Sequence, residues 1–288
     1  MTAEPQPLRT ARHRDTHHRW EMVSRPPAAP LAPYVTDLQG YREHATRPLR
    51  RLQVPFAGLP LIISLGPSID IEAPEARNRW ERHCSFLAGL HDGYARTEYR
   101  GAQHGLQVNL TPLGAIRLLG RPLRELTNRV VQLDDLLGPQ AERLTARLAE
   151  TPDWTRRLDL LERFLASRLH EANGLTPGIA WAWHRLRESA GRQDVSGLAR
   201  ELGWSRKHLT QQFHAQIGLP PKALARVLRF KRATTALDRG PCSLSALAQD
   251  CGYYDQAHFN RDFRAFAGCT PSAYLRGQLP DAGGVAAG

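Results

Sequence analysis

The spacing of apolar and polar positions changes character along the chain. From Pro33 to about Gly120 the apolar residues fall in short runs broken by Gly and Pro: LQVPFAG, LPLIISLG, SFLAGL, YARTEYRG and GLQVNLTP. Each run has strand length, and the last alternates at Leu106, Val108 and Leu110, the period of a half-buried strand. Several such segments without an intervening long helix predict a small antiparallel β barrel or sandwich. Its interior is the default place for a small ligand. After Pro122 the spacing becomes helical, first in a short amphipathic piece before Gly138, then over Gln140–Glu150 and Trp154–Ala172. In the last of these Leu158, Leu160, Leu161, Phe164, Leu165 and Leu169 recur at i, i+3 and i+4, one continuous stripe. That stripe either packs on the barrel or forms a dimer interface.

Beyond residue 178 one pattern occurs twice. Setting Val195–Ser205 over Leu244–Tyr254 and Arg206–Leu224 over Gln256–Tyr274 matches ten residues, among them Ala199/Ala248, Gly203/Gly252, His208/His258, Phe213/Phe263 and Gly218/Gly268, with Asp255 as one extra residue in the second copy. Small residues at Ala199 and Ala248 suit a close helix crossing. Gly203 and Gly252 suit a turn at positive φ. Leu209 with Phe213, and Phe259 with Phe263, give each second helix a buried i, i+4 stripe. This is two helix-turn-helix units. Between them PKALARVLRFKRATTALD, starting at Pro221, reads as a helix that Gly240 stops. At about 1.5 Å per residue it spans roughly 27 Å, long enough to hold two reading heads over major-groove segments about 34 Å apart.

From about Ala180 to Arg276, roughly a third of the chain, the sequence resembles the AraC/XylS transcriptional regulators. The resemblance rests on VSGLARELGWSRKHLTQQFHAQIGLPPKAL, LARVLRFKRATTAL and LSALAQDCGYYDQAHFNRDFRAFAGCTPSAYLR; the turn GYYDQAHF, with Phe263, Gly268, Pro271 and Tyr274 after it, is the most specific part. The resemblance implies a sequence-specific regulator of transcription, an activator or a repressor, working with the transcription machinery. It implies base reading at Lys207, Thr210, Gln211, Gln256, Asn260 and Arg261. It also implies that a homodimer would form through helices of the first domain.

The residues themselves point to overlapping positions. With Leu209 and Phe213 inward, Arg206, Lys207, Thr210, Gln211 and His214 face out; with Phe259 and Phe263 inward, Gln256, Ala257, Asn260, Arg261 and Arg264 do. Arg and Lys suit guanine edges, Gln and Asn suit adenine. Arg206 joins the base-reading candidates, while His214 and Arg264 stay open between base contact and solvated surface. His208 and His258 sit beside core positions and suit packing. Ser205, Lys222, Arg226, Arg229 and Arg232 are the candidates for phosphate contact. Ser196 and Ser245 suit either helix capping or phosphate.

Charge supports a polyanionic partner, here double-stranded DNA. The chain of 288 residues carries a formal +11, and Ile179–Pro280 holds 15 Lys and Arg against 7 Asp and Glu, a net +8. No apolar run of transmembrane length occurs, and the N-terminal stretch with Arg9, Arg12 and Arg14 lacks the apolar core of a secretory signal. The expected setting is cytoplasmic, without a membrane partner. Cys84, Cys242, Cys251 and Cys269 have no metal-ligand spacing and read as reduced, mostly buried thiols.

The fold expected is α+β: a flexible basic arm over 1–30, a sensor or oligomerisation domain over 31–172, a linker over 173–178, a DNA-binding domain over 179–276 and a disordered tail over 277–288. The second domain is all-α, with its two helix-turn-helix units joined by a linker helix. A small-molecule effector is the expected input to the first domain. No catalytic residue, metal or cofactor is called for. The alternative is an enzymatic first domain, an alkyl-transfer repair unit or a metal-dependent barrel. Against it, Cys84 lacks a reactive-cysteine motif, and His83, His91 and His104 stand 8 and 13 residues apart.

Overall fold

The computed structural model describes residues 7–169, 174–240, 243–278 and 285–286. The strands are β1 (Arg9–Arg14), β2 (His18–Arg25), β3 (Val35–Gln53), β4 (Leu59–Ser64), β5 (Ile69–Glu72), β6 (Glu81–His83), β7 (Phe86–Ala88), β8 (Ala95–Leu110), β9 (Val130–Gln132) and β10 (Val285–Ala286). The helices are α1 (Pro112–Leu119), α2 (Leu133–Leu137), α3 (Pro139–Glu150), α4 (Trp154–Leu169), α5 (Pro177–Glu188), α6 (Val195–Glu201), α7 (Arg206–Ile217), α8 (Pro221–Leu237), α9 (Leu244–Asp250), α10 (Gln256–Ala267) and α11 (Pro271–Gly277).

The strands form one antiparallel sheet with the path β1-β2-β3-β8-β4-β7-β9, open at both ends. Its inner face carries Leu38, Leu59, Leu61, Ile63, Leu106 and Val108, all fully buried. Two runs expected as separate strands, YARTEYRG and GLQVNLTP, are one long β8. The chain passes through Gly101 at φ +82° opposite Ala45, where the pairing of β3 slips, a left-handed position that glycine takes without strain. β3 itself carries Arg42, Arg47, Arg50 and Arg51 and has no apolar run to betray it; Pro48 lies within the slip, where no ladder hydrogen bond is needed.

The flexible arm expected over residues 1–30 is instead, from Arg9 to Arg25, a hairpin continuing the sheet. Asp15 makes its turn by accepting from the backbone N–H groups of His17 and His18, both at 2.7 Å. Trp20 and Val23 are buried, and Arg25, 3% exposed, pairs with Asp159 and Glu162 of α4, each at 2.7 Å. β1 is exposed on both faces, so no apolar alternation marks it in the sequence. The expected disordered tail is also corrected in part: Gly277 ends α11, and β10 pairs with β3, burying Val285. Residues 1–6, 279–284 and 287–288 of the arm and tail lie outside the described residues, as does Asn173 of the linker.

The helices after the sheet divide the α4 stripe. Leu158, Leu161, Leu165 and Leu169 are fully buried within the chain, against α1 and the sheet. Leu160 and Phe164 turn to α3 instead. α1 falls in a region expected to be strand; its signals are Thr111, whose Oγ1 accepts from Gly114 N, and Pro112 in the first turn. In α5 Trp183 is buried, while Trp181 is half-exposed with Arg185 5.9 Å over its ring.

Candidate nucleic-acid interface

The repeat seen in the sequence is a repeat of hydrogen bonds. Asp194 caps α6 and Ser243 caps α9, and Ser205 caps α7 as Asp255 caps α10. Ser196 and Ser245 lie one residue inside α6 and α9 and cap neither. The backbone N–H groups from Gly197 and Ser196 hold the Asp194 carboxyl below its ordinary value. After each first helix Gly203 and Gly252 take φ of +67° and +77°, and Trp204 N and Tyr253 N donate to Ala199 O and Ala248 O, each at 2.9 Å. His208 meets the edge of Trp204 at 4.8 Å and His258 that of Tyr253 at 5.3 Å. Both histidines are therefore packing residues, braced by the preceding turn.

The second helix of each unit is anchored by its apolar face. Leu209, Phe213 and Ile217 of α7 are fully buried, as are Phe259, Phe263 and Phe266 of α10. Phe263 lies 5.1 Å from Phe230 of α8 and 5.4 Å from Tyr274 of α11, edge-on contacts that fix ring orientation as well as burying area. On the opposite face Arg206, Lys207 and Gln211 are exposed and Thr210 half-buried; Gln256, Asn260 and Arg261 are all exposed. The seven expected reading positions thus fall on two solvent-facing helix surfaces, at and just beyond their N-termini.

The first turn of α7 contains Arg206 and Lys207 and no acidic residue. A cation there opposes the helix dipole, at about 0.3–1 kcal/mol each. Helix stability therefore does not explain them, whereas a polyanion lying across the N-terminus does.

The five expected phosphate contacts separate. Lys222 is exposed and Arg232 half-exposed. Ser205 Oγ accepts from His208 N at 3.1 Å, which leaves its hydroxyl proton free for an outside acceptor. Arg229 lies 5.4 Å over the ring of Tyr253, whose phenol burial pushes above its usual range. Arg226 is engaged within the chain: Nε and Nη2 donate to Oδ2 and Oδ1 of Asp262 at 3.1 and 2.8 Å. These bonds raise its pKa further. Arg226 is thus a strut from α8 to α10, not a free phosphate ligand. Its partner was invisible in the sequence because the two residues lie 36 positions apart.

A residue missed in the sequence is Tyr254, 91% exposed in the turn before α10. It directly precedes the inserted Asp255 cap, and that insertion is the signal that could have found it.

The first domain touches the C-terminal end of α7. A helical turn at Arg124–Leu126 brings Leu123 N to Gln216 O at 3.1 Å, and Thr127 Oγ1 donates to Gly218 O at 2.6 Å. Thr176 N donates to Gln216 Oε1 at 2.9 Å, so the segment before α5 is tied to the same helix.

The side chains weighed for an enzymatic first domain go separate ways. Cys84 is exposed. His83 packs edge-on against Phe86, His91 Nε2 lies 3.4 Å from Arg129 O, and His104 Nε2 accepts from Arg157 at 2.9 Å. Burial pushes both His91 and His104 down to about 4, Arg157 and Arg42 adding to the effect at His104. Among the described residues no three His, Cys, Asp or Glu side chains converge on a metal-sized site, and no helix is long and apolar enough to cross a membrane.

Comparison with known proteins gives two family matches. A family described as a helix-turn-helix domain matches residues 198–277, and a domain of unknown function (DUF6597) matches residues 24–132. The HTH-type transcriptional regulator MtrA of Neisseria gonorrhoeae is 24% identical over 83 residues, 29% of this chain and 28% of that protein. The chain thus matches less than a third of that relative's length. Among solved structures, ToxT from Vibrio cholerae is similar at a TM-score of 0.50 and 10% identity, covering 91% of this chain and 98% of that one. The DNA-binding domain of AdpA, solved in complex with a target DNA, is 24% identical over 35% of this chain and 92% of its own, at a TM-score of 0.33.

Proposed function

We propose that the chain is a transcription regulator of the AraC/XylS type, from its match to a helix-turn-helix family over residues 198–277 and to the regulator MtrA over 83 residues, and we infer from this how it reads DNA and how its first domain acts on that reading. The first turns of α7 and α10 enter successive major-groove segments of one duplex. Arg206, Lys207, Thr210 and Gln211 read the first, and Gln256, Asn260 and Arg261 the second. Lys222, Arg229, Arg232 and the Ser205 hydroxyl hold the phosphates, and Tyr254 joins them. The observation that carries this reading is the cationic N-terminus of α7, which has no acidic residue in its first turn.

The functional division is a sensor or association domain up to about residue 172 and a DNA-binding domain over 179–276. A small-molecule effector acts on the first, and its effect reaches DNA through the contacts of Leu123, Thr127 and Thr176 with the end of α7. The protein works in the cytoplasm with the transcription machinery, without a chemical step of its own; a homodimer would place two such tandem readers on one site.

Gln211→Ala and Arg261→Ala test the reading. Each is expected to relax preference at one base position and to lose about 1–3 kcal/mol on the preferred site. Equal losses on preferred and random duplexes would make them phosphate contacts instead.

A further inference from the structure

Helices α3 and α4 run side by side and leave an outward groove of about 620 Å³. Its floor is formed by Leu144 of α3 and Leu160 of α4, both buried, and by Phe164 of α4, which is half-buried and offers the open apolar surface. Its walls carry Arg143 and Arg147 of α3 and Arg163 of α4, all exposed. A fourth guanidinium, Arg168, is already engaged, donating to Gln140 Oε1 and to Leu118 O. The other three make no ion pair or side-chain hydrogen bond among the described residues.

On α4 Asp159 and Glu162 pair with Arg25, and Asp153 just before it pairs with Arg156; Glu142 and Glu150 of α3 make no ion pair with the three arginines among the described residues. Arg143 and Arg147 also stand four residues apart on one helix face, a like-charge spacing that destabilises a helix. Nothing in the packing of this domain accounts for three uncompensated guanidinium groups around an apolar floor.

We propose that this groove docks an acidic amphipathic helix of a partner protein. The groove between two packed helices accepts a third by ridge and groove. An apolar stripe at i, i+3, i+4 and i+7 would cover the open face of Phe164 and the edges of Leu144 and Leu160 beside it. Asp and Glu flanking that stripe meet the three arginines, whose planar forks match carboxylates two bonds at a time. Two copies of this chain meeting through the same face would bring both sets of arginines into one interface, since a two-fold interface uses the same patch on each copy. A nucleic-acid backbone would use the charge but not the apolar floor.

The test uses the full chain without DNA. The probe is a fluorescein-labelled helical peptide with Leu at i, i+3, i+4 and i+7 and Glu on both sides, beside a peptide of the same composition in scrambled order. Fluorescence anisotropy should show the patterned peptide binding at least tenfold more tightly than the scrambled one. The Arg147→Glu/Arg163→Glu variant should lose at least tenfold, with circular dichroism unchanged, while Arg147→Lys/Arg163→Lys keeps most of the preference.

Equal binding of the two peptides, or of neither, overturns the proposal. So does a charge-reversed variant that binds the patterned peptide as the native chain does. If charge reversal leaves peptide binding intact but dissociates a dimer in sedimentation, the occupant is a second copy; if it instead abolishes binding to random duplex, the occupant is nucleic acid. Both results contradict the proposal.

Discussion

Replacing Arg226 by Ala separates a strut from a DNA contact. In the folded chain its guanidinium meets Asp262 through two bonds of 3.1 and 2.8 Å, with the Asp side chain 9% and the Arg side chain 35% exposed. Exposed pairs contribute about 0.2–1 kcal/mol, while breaking a fully buried one costs about 3–5 kcal/mol. A pair with one buried carboxylate and one partly solvated guanidinium belongs between these, at about 1–2 kcal/mol after allowing for screening. Asp262→Ala should cost a similar amount, and the double substitution less than the sum of the two, because the pair is lost only once. Urea unfolding of the four proteins measures this. A parallel titration of DNA affinity against salt completes the assay: a phosphate ligand contributes about 0.9 to the slope of log K against log salt, and a strut contributes nothing. If Arg226→Ala unfolds at the native urea concentration and lowers the salt slope by about one, the guanidinium binds phosphate and the internal assignment is wrong.

Two further perturbations probe the first domain. The imidazole of His104 accepts from Arg157 and is held down at about 4 by burial and by two guanidinium groups, whereas an unfolded His titrates near 6.5. Between about pH 6.5 and 4 the unfolded chain therefore binds a proton that the folded chain refuses, so stability falls across that window as pH drops and is flat above it. Asp15, Glu21 and Glu43, whose carboxyls lie below their ordinary values, lose their contributions only at lower pH. His91, also held down at about 4, and His83, lowered by burial, contribute to the same fall, so His104→Gln should make the fall in urea midpoint between about pH 6.5 and 5 shallower than in the native chain without abolishing it, and an unchanged slope would remove His104 from the account. Thr127→Val keeps the shape of the side chain but deletes the hydroxyl that donates to Gly218 O. Affinity for the preferred site should shift by about two- to tenfold, as expected for a lost hydrogen bond of about 0.5–1.5 kcal/mol. Unaltered affinity would mean that the end of α7 does not carry the influence of the first domain.

The second half of the chain was legible because its requirements are local and stated twice. Gly203 and Gly252, Ala199 and Ala248, and the phenylalanines four residues after Leu209 and Phe259 each fix one piece of a short helix pair. The structure puts them where the spacing placed them. The first half was harder to read because its determinants are distant or polar. β1 and β2 read as an arm because Trp20 and Val23 find their core in another part of the chain, and Arg25 finds its carboxylates 134 and 137 residues later. β3 shows no apolar run because its buried apolar positions, Val35, Leu38, Ala45 and Leu52, are scattered among polar residues over 19 positions. Within the site, spacing placed the expected reading positions on the exposed faces. It could not distinguish Lys222, which is free, from Arg226, which is tied down by Asp262. Helical periodicity also put Leu160 and Phe164 in one stripe with Leu161 and Leu165, whereas α3 draws the first two to a different side.

Selection of bound sequences from a random double-stranded pool by the full chain, carried out at two salt concentrations, tests tandem reading most directly. Two short conserved blocks about one helical turn, roughly 34 Å, apart are the expected result, with the same blocks recovered at both salts as total affinity falls. A single block, or a pool with no enriched sequence at either salt, would contradict the claim that α7 and α10 read successive grooves of one duplex.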